Sequence, residues 1–380
     1  MEQHNPSLTL TQKPHYVLLN GLRGVAALFV ILFHLGEGFA TSPMDQFCNH
    51  GYLAVDFFFI LSGFVIGYAY DDRWKAMGIG TFFKRRLIRL HPMIIVAVVI
   101  GAISYFIQGS VKWDGTSVAL STVMIAFVLN LFLIPSLPTA STDLRGYGEM
   151  FPLNGPTWSL FFEYIANVMY ALFLRRLPTK VLGGFVIATG AALLWYALTQ
   201  AGYGHMGDGW SLAGTQFGGG MLRVTFSYSA GLFISRIFKP LRCVKNAFLI
   251  SSLSIGFILF MPHLGGEDAT WMNAIYDTVC IVLFFPLILY FAASSKQMGT
   301  QKTKMCSLLG DLSYPLYLIH YPSMYLFYAS VWKNNYTFEQ VWMVAVGLVI
   351  FNIVLAYACL KLYDLPIRNY LSKKFLNPKR

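Results

Sequence analysis

The stretch that decides the fold is Leu19-Asn20-Gly21-Leu22-Arg23-Gly24-Val25-Ala26-Ala27-Leu28-Phe29-Val30-Ile31-Leu32-Phe33-His34. It is an apolar run with an arginine at its mouth and a histidine deep inside. Ionisable side chains are expensive in hydrocarbon, so each one found there is a candidate for function. Eleven positions make almost three turns of helix, so Arg23 and His34 share one face, roughly 16 Å apart along the axis. A histidine can also be merely hydrogen-bonded inside a bundle, but its phase with Arg23 argues for more. One helix face then holds a fixed cation near the entrance and a titratable imidazole within.

The rest of the chain agrees on the class. Its 380 residues are 56% hydrophobic and only 12% charged, and the mean hydropathy is +0.56, too apolar for a soluble domain. Runs of about 20 apolar residues have the length that spans a bilayer. Such runs lie near 18–39, 52–70, 92–108, 118–134, 157–174, 181–199, 222–238, 247–261, 273–293, 306–330 and 341–362. They leave no room for a separate soluble domain, and neither repeats nor low-complexity tracts are evident. No small-residue cleavage site follows the first run, so it does not read as a cleaved signal peptide.

Net charge is +11, and its placement reports topology, not a nucleic-acid partner. Eleven full crossings from a cytoplasmic N-terminus would leave 11 of the 28 Lys and Arg inside and 17 outside. If one segment between 92 and 156 fails to cross, the short 118–134 for instance, every later loop flips. The count inside then rises to 24, and only Lys112, Arg145, Arg223 and Lys333 stay outside. The positive-inside rule selects the second arrangement. The expected fold is an all-α polytopic membrane helical bundle of about ten transmembrane helices plus one re-entrant or buried segment, with both termini cytoplasmic. Residues 1–17 are then a cytoplasmic N-terminal segment, 18–362 the membrane domain and 363–380 a basic cytoplasmic tail. The expected location is the cell (inner or cytoplasmic) membrane. Of the five cysteines, at 48, 243, 280, 306 and 359, only Cys48 would face the oxidising side, which implies no disulfide framework. No CxxC or HExxH spacing occurs, and no metal is expected.

Beyond Arg23 and His34, three further polar constellations stand out. In Lys84-Arg85-Arg86-Leu87-Ile88-Arg89-Leu90-His91-Pro92, Arg86 and Arg89 are i,i+3 neighbours if a helix has begun. They read either as a positive-inside anchor or as a bidentate grip on a phosphorylated cytosolic donor. In Pro156-Thr157-Trp158-Ser159-Leu160-Phe161-Phe162-Glu163, Ser159 and Glu163 share a face, and Glu163 lies a turn into the membrane. It serves chemistry or a helix-positioning hydrogen bond; Asp56, in Val55-Asp56-Phe57-Phe58, is a weaker case that could pair with a neighbouring helix or cap its own. In Gly310-Asp311-Leu312-Ser313-Tyr314-Pro315-Leu316-Tyr317-Leu318-Ile319-His320, residues 313, 317 and 320 form a polar stripe, either packed or catalytic. No Gly-x-Ser-x-Gly nucleophile elbow competes with these groups.

Taken in order, these motifs resemble the acyltransferase 3 family of integral-membrane O-acyltransferases. The resemblance rests on Leu22-Arg23-Gly24 with His34, Val55-Asp56-Phe57-Phe58 with Leu61-Ser62-Gly63-Phe64, Arg85-Arg86 with Arg89 and Pro92, Trp158-Ser159-Leu160 with Glu163, and Ser313-Tyr314 with Leu316-Tyr317 and His320. It covers about residues 18–362. It implies transfer of an acyl group, usually acetyl from acetyl-CoA, to a hydroxyl of a glycan or other sugar-bearing acceptor. Family activity is tied to the positions that here are Arg23, His34, Arg86 and Arg89, while members often carry Asp where this chain has Asn20. Many also carry a C-terminal esterase-like domain; this chain resembles the stand-alone exopolysaccharide-acetyltransferase form, so transfer is expected to be completed within the membrane domain.

On this reading acyl-CoA is the co-substrate, its phosphates held at the cytoplasmic mouth by Arg23, Arg86 and Arg89. His34 acts as general base or as transient acyl acceptor. Glu163 and His320 are the other candidate catalytic groups. A proton-coupled transporter of sugars or lipid-linked glycans would use the same buried His, Glu and Asp as a relay. It lacks support from any matched pair of interrupted spans in two halves, and it leaves Arg86 and Arg89 without a phosphate. A scaffold in a polysaccharide export complex would tolerate loss of His34.

Overall fold

The computed structural model describes residues 16–137, 139, 142–241, 245–295 and 299–376. Lys13, Arg242, Cys243, Lys296, Lys379 and Arg380 of the charge and cysteine reading lie outside these. Among the described residues there are eleven helices of twelve residues or more and, in place of a sheet, two isolated bridges. They are α1 (Val17–Glu37), α2 (Ala54–Tyr70), α3 (Ile79–Ile107), α4 (Leu120–Leu131), α5 (Thr157–Leu172), α6 (Thr179–Thr199), α7 (Gln216–Ile237), α8 (Ala247–Phe260), α9 (Thr270–Ala293), α10 (Thr300–Asn334) and α11 (Phe338–Phe375). Apolar backbone without water must satisfy its own hydrogen bonds, and a helix does so within one segment. Seven of these helices are long and apolar enough to cross a membrane: α1, α2 with its leading 3₁₀ turn, α3, α5 with its trailing turn, α6, α9 and α11. The molecule is a polytopic membrane helical bundle.

Two helices differ in extent from the apolar runs. α3 begins at Ile79, not near 92, because Gly78 supplies the extended N-cap and the basic stretch that follows is helical. Pro92 then sits inside the helix, where a membrane bundle tolerates it. α11 runs on to Phe375 through a π turn at Leu360–Asp364, and α9 carries a similar turn at Cys280–Phe284. Each π turn is followed by a proline, Pro366 or Pro286, whose missing N–H breaks the ordinary i→i−4 ladder.

Packing fixes the relative direction of the helices. Let α1 rise from the base of the bundle to its top. α10 rises beside it: Gly24 meets the Leu309 backbone low down, and Trp332 Nε1 donates to Gly38 O at the top. A Cβ at Gly24 would overlap that backbone, so glycine permits the contact. α2 and α7 both descend, with Asp56 on Arg223 near the top and Gly67 against Ser235 near the base. α5 descends with them, since Tyr170 bonds Asp71 at the base. α3 rises, from Phe82 against Tyr70 at the base to Tyr105 on Leu144 O at the top.

Between α3 and α5 lies α4, whose twelve residues reach only about 18 Å. It enters from the top, where Val118 bonds Ser110, reaches His91 with Leu131, and returns through Ser136, which bonds Met150. α4 therefore enters and leaves at the top, and α2, α5 and α7 point the same way.

Candidate active site

α1 places its polar face toward α10, and the face carries His34 three turns above Arg23. Near the top it opens on a cavity of about 440 Å³ lined by His34, Glu37, Gln46, Tyr52, Val55, Glu149, Trp158, His205 and Tyr317 among others. Low down it borders a second, narrower cavity of about 40 Å³ lined by Arg23, Val55, Ser159, Glu163, Ser313, Tyr314 and Tyr317. Val55 and Tyr317 face both. Arg23 and His34 thus lie on either side of one thin wall.

His34 is joined to a residue that the sequence reading passed over. Its Nδ1 lies 2.6 Å from Glu37 Oε2, and both side chains are partly exposed to the cavity, at 16% and 32%. Tyr328 donates to the same carboxylate oxygen at 3.1 Å and Tyr321 at 3.4 Å. Tyr328 also bonds the His34 carbonyl. A carboxylate only accepts, so a charged Glu37 puts the imidazole hydrogen on Nδ1 and leaves a lone pair on Nε2. The i,i+3 spacing of His34 and Glu37 was the available signal; it lies at the last turn, where a carboxylate is ordinarily a solvated helix end.

His320 stands behind His34, their ring centroids 5.3 Å apart. It is fully buried, its Nδ1 meets Leu316 O, and its Nε2 has no partner among the described residues. It is not part of either cavity wall. Ser313 bonds Gly310 O within its own helix. Tyr317, the middle of that stripe, reaches Ser159 Oγ at 2.7 Å and so ties α10 to α5.

Glu163 and Arg86 make an ion pair of 2.6 Å, with Ser62 donating to the same carboxylate oxygen at 2.9 Å. Arg86 Nε is buried without a partner among the described residues. One turn on, Arg89 lies over the Tyr314 ring at 5.6 Å, with Asp364 and Arg368 of α11 close by. Arg23 is within electrostatic reach of Glu163, Arg86 and Arg89. The three arginines of the sequence reading therefore converge at the base, beneath the narrow cavity. Arg23 and Arg86 beside Glu163, with Arg89 and Arg368 beside Asp364, give more cations than carboxylates, an arrangement suited to an anionic partner. Asp56 belongs elsewhere: it pairs at 2.6 Å with Arg223, both fully buried, across α2 and α7.

The top cavity has walls that only the fold assembles. On α10, Tyr317, Tyr321, Tyr325, Tyr328 and Trp332 follow one another at steps of three and four and form one aromatic stripe from floor to mouth. Trp113, Trp158 and Trp210 close the other sides. Glu149 lines the cavity from the connection after α4 and accepts from Tyr325 at 2.6 Å; burial pushes its carboxyl up to about 7. Behind the far wall, Asp277 accepts from Tyr52 at 2.6 Å and meets His50 Nδ1 at 2.8 Å, while the His205 ring packs on Tyr52. Among the described residues no three His, Cys, Asp or Glu are grouped to hold a metal ion.

A family model for an acyltransferase domain matches residues 16–361. The chain belongs to the acyltransferase 3 family. A protein of Rhizobium radiobacter named "Protein 2 in picA locus" is 34% identical over 202 residues, which is half of this chain and all of that protein. "Acyltransferase MdmB" of Streptomyces mycarofaciens is 28% identical over 191 residues, 46% of this chain and 44% of its own. "Putative O-acetyltransferase SACOL0978" of Staphylococcus aureus (strain COL) is 26% identical over 365 residues, 89% of this chain and 55% of its own. The chain spans about half the length of the last two. No solved structure matches. Family and fold together make the protein a membrane acyltransferase.

Proposed function

We propose that the protein moves an acetyl group from acetyl-CoA, approaching from the base, to a hydroxyl of a sugar-bearing acceptor held in the top cavity. The observation that carries this is the shared wall: His34 with Glu37 on one side, Arg23 with Arg86 and Glu163 on the other. Coenzyme A carries several phosphates and keeps its head outside hydrocarbon, where Arg86 and Arg89 grip it bidentately. Its thin pantetheine arm then runs up the Arg23 face, between Glu163 and Tyr314, toward His34.

At the wall, His34 Nε2 takes the proton of the acceptor hydroxyl as its oxygen attacks the thioester carbonyl. The C–O bond forms, the C–S bond breaks, and the proton passes from His34 to the departing thiolate. Glu37 holds the imidazole in the required tautomer and offsets the charge that it gains. A histidine that first accepts the acetyl itself uses the same geometry. Glu163 orders Arg86 at the donor mouth, and His320 backs the His34 ring.

The base is then the cytoplasmic face, with ten crossings, both termini inside, and the cell membrane as the location. The parallel pairs α1/α10 and α2/α7 support this parity, as does the confinement of Lys112, Arg145, Arg223 and Lys333 to the top half. The deciding experiment uses the full chain in lipid nanodiscs with acetyl-CoA and an oligosaccharide. Coenzyme A release and an acetyl mass on the sugar are expected from the parent, and only at a small residual rate from His34→Ala and His34→Gln. Transfer at the parent rate by His34→Gln overturns the assignment, and sugar movement without coenzyme A release would mark a transporter.

A further inference from the structure

The acceptor's chemical class can be read from the cavity wall. Among the described residues its lining includes two carboxylates, Glu37 and Glu149, and neither a lysine nor an arginine. Two cations stand just behind the wall, and neither lines it, although Arg145 Nη2 has no partner among the described residues. Arg145 stacks on the outer side of Tyr325 at 3.4 Å and donates to Pro152 O and Gln108. Arg223 lies beneath Trp158 at 5.3 Å and is held by Asp56. An anion entering this cavity loses its water and meets the Glu37 carboxylate, with Glu149 adding a second charge as pH rises above about 7, and among the described residues no lysine or arginine lines the wall to receive it.

The same wall suits an uncharged sugar. A pyranose has an apolar C–H face and a rim of hydroxyls. Aromatic faces carry the negative side of their quadrupole and attract such C–H groups, while tyrosine hydroxyls and carboxylates take the rim. The α10 stripe, from Tyr317 to Trp332, offers ring after ring for roughly 22 Å, a length that several sugar units fill.

We propose that the top cavity binds a chain of uncharged sugars and excludes uronic-acid and other anionic acceptors. This rests on the reading that the acceptor enters from the top, so binding and catalysis are tested apart. The full chain in nanodiscs is titrated with a glucose tetramer and with a galacturonic-acid tetramer, read by quenching of the cavity tryptophans. Saturable quenching by the glucose tetramer is expected, with the galacturonate tetramer at least about tenfold weaker, equivalent to about 1.4 kcal/mol. At pH 8, where Glu149 is ionised, Glu149→Gln should narrow that gap, because it removes one of the two charges while keeping the oxygen that Tyr325 bonds. Equal or tighter binding of the acidic tetramer overturns the proposal, and so does failure of the glucose tetramer to bind. If the parent binds the glucose tetramer with this discrimination but transfers no acetyl group to it, the catalytic reading falls while the charge discrimination stands.

Discussion

Replacing Glu37 by glutamine removes one charge and almost no volume. The 2.6 Å contact to His34 Nδ1 is a charge-assisted hydrogen bond, of a kind worth about 1.5–3 kcal/mol. That range corresponds to a rate loss of about 10- to 150-fold if it is felt in the transition state, when the imidazole carries the acceptor's proton. The surroundings decide which end of the range applies. Tyr321 and Tyr328 both donate to Oε2, so they keep the oxygen of a glutamine amide in that place. Nδ1 then retains its hydrogen, the tautomer survives, and only the charge is lost. Glu37→Gln should therefore lower kcat by no more than about 150-fold. Adding Tyr328→Phe frees the amide to rotate, lets it donate to Nδ1, and should cost considerably more. The assay is steady-state coenzyme A release with acetylated sugar counted by mass spectrometry, on protein whose melting temperature matches the parent. His34→Gln combined with Glu37→Gln should be no slower than His34→Gln alone, since the two act as one unit. An unchanged kcat in Glu37→Gln, or losses that simply multiply in the double variant, would refute the dyad.

Asp56→Ala leaves Arg223 buried and unpaired, and should cost about 3–5 kcal/mol, read as a fall in melting temperature that Asp56→Leu with Arg223→Met largely restores. Glu149, held up to about 7 against an ordinary 4.5, binds more protons folded than unfolded between those values. It therefore withdraws stability as pH rises through that window, by up to about 3 kcal/mol less what cavity water screens. Glu149→Gln should accordingly raise the melting temperature at pH 8 and hardly change it at pH 4.5; an equal shift at both would exclude this cause. Arg86→Ala should weaken acyl-CoA binding, with Arg86→Lys a partial rescue for want of the guanidinium fork; unaltered binding would make the cluster a topological anchor. Single cysteines at 178, 300 and 375 should resist an impermeant thiol reagent in intact cells and those at 45, 147 and 335 should react, whereas labelling at 300 would reverse the parity.

Short-range order was the legible part. Arg23 and His34 needed only the helical repeat, and the structure brings both to the shared wall. The Arg86–Arg89 and Ser159–Glu163 pairs likewise follow from spacing within one helix. Length alone marked 118–134 as the odd segment. Glu37, three residues from His34, was passed over as a solvated helix end, and most of the rest that escaped has partners far apart in sequence. Asp56 finds Arg223 and His50 finds Asp277 only through the packing of α2 on α7 and of α9 near the top. Glu149 sits in a connection, where no periodicity marks a buried face. The α10 stripe was half seen: residues 313, 317 and 320 were read as polar, but the cavity uses 317 and the aromatics above it. His320 is the case where helical phase misleads, because a residue seven positions on lies on the same side yet falls behind another ring.

The wall of Val55 and Tyr317 has an electrical meaning as well. In an energised membrane, a protein hollowed from both ends concentrates the whole voltage drop across whatever solid remains between the hollows. A charge crossing there is worth about 2.3 kcal/mol per 100 mV, so even slight permeability to protons would drain the cell's gradient. Tyr317, clamped by its hydroxyl to Ser159, then works as insulation. On the proposed reaction an acetyl group is exchanged for a proton across this septum, a swap that carries no net charge.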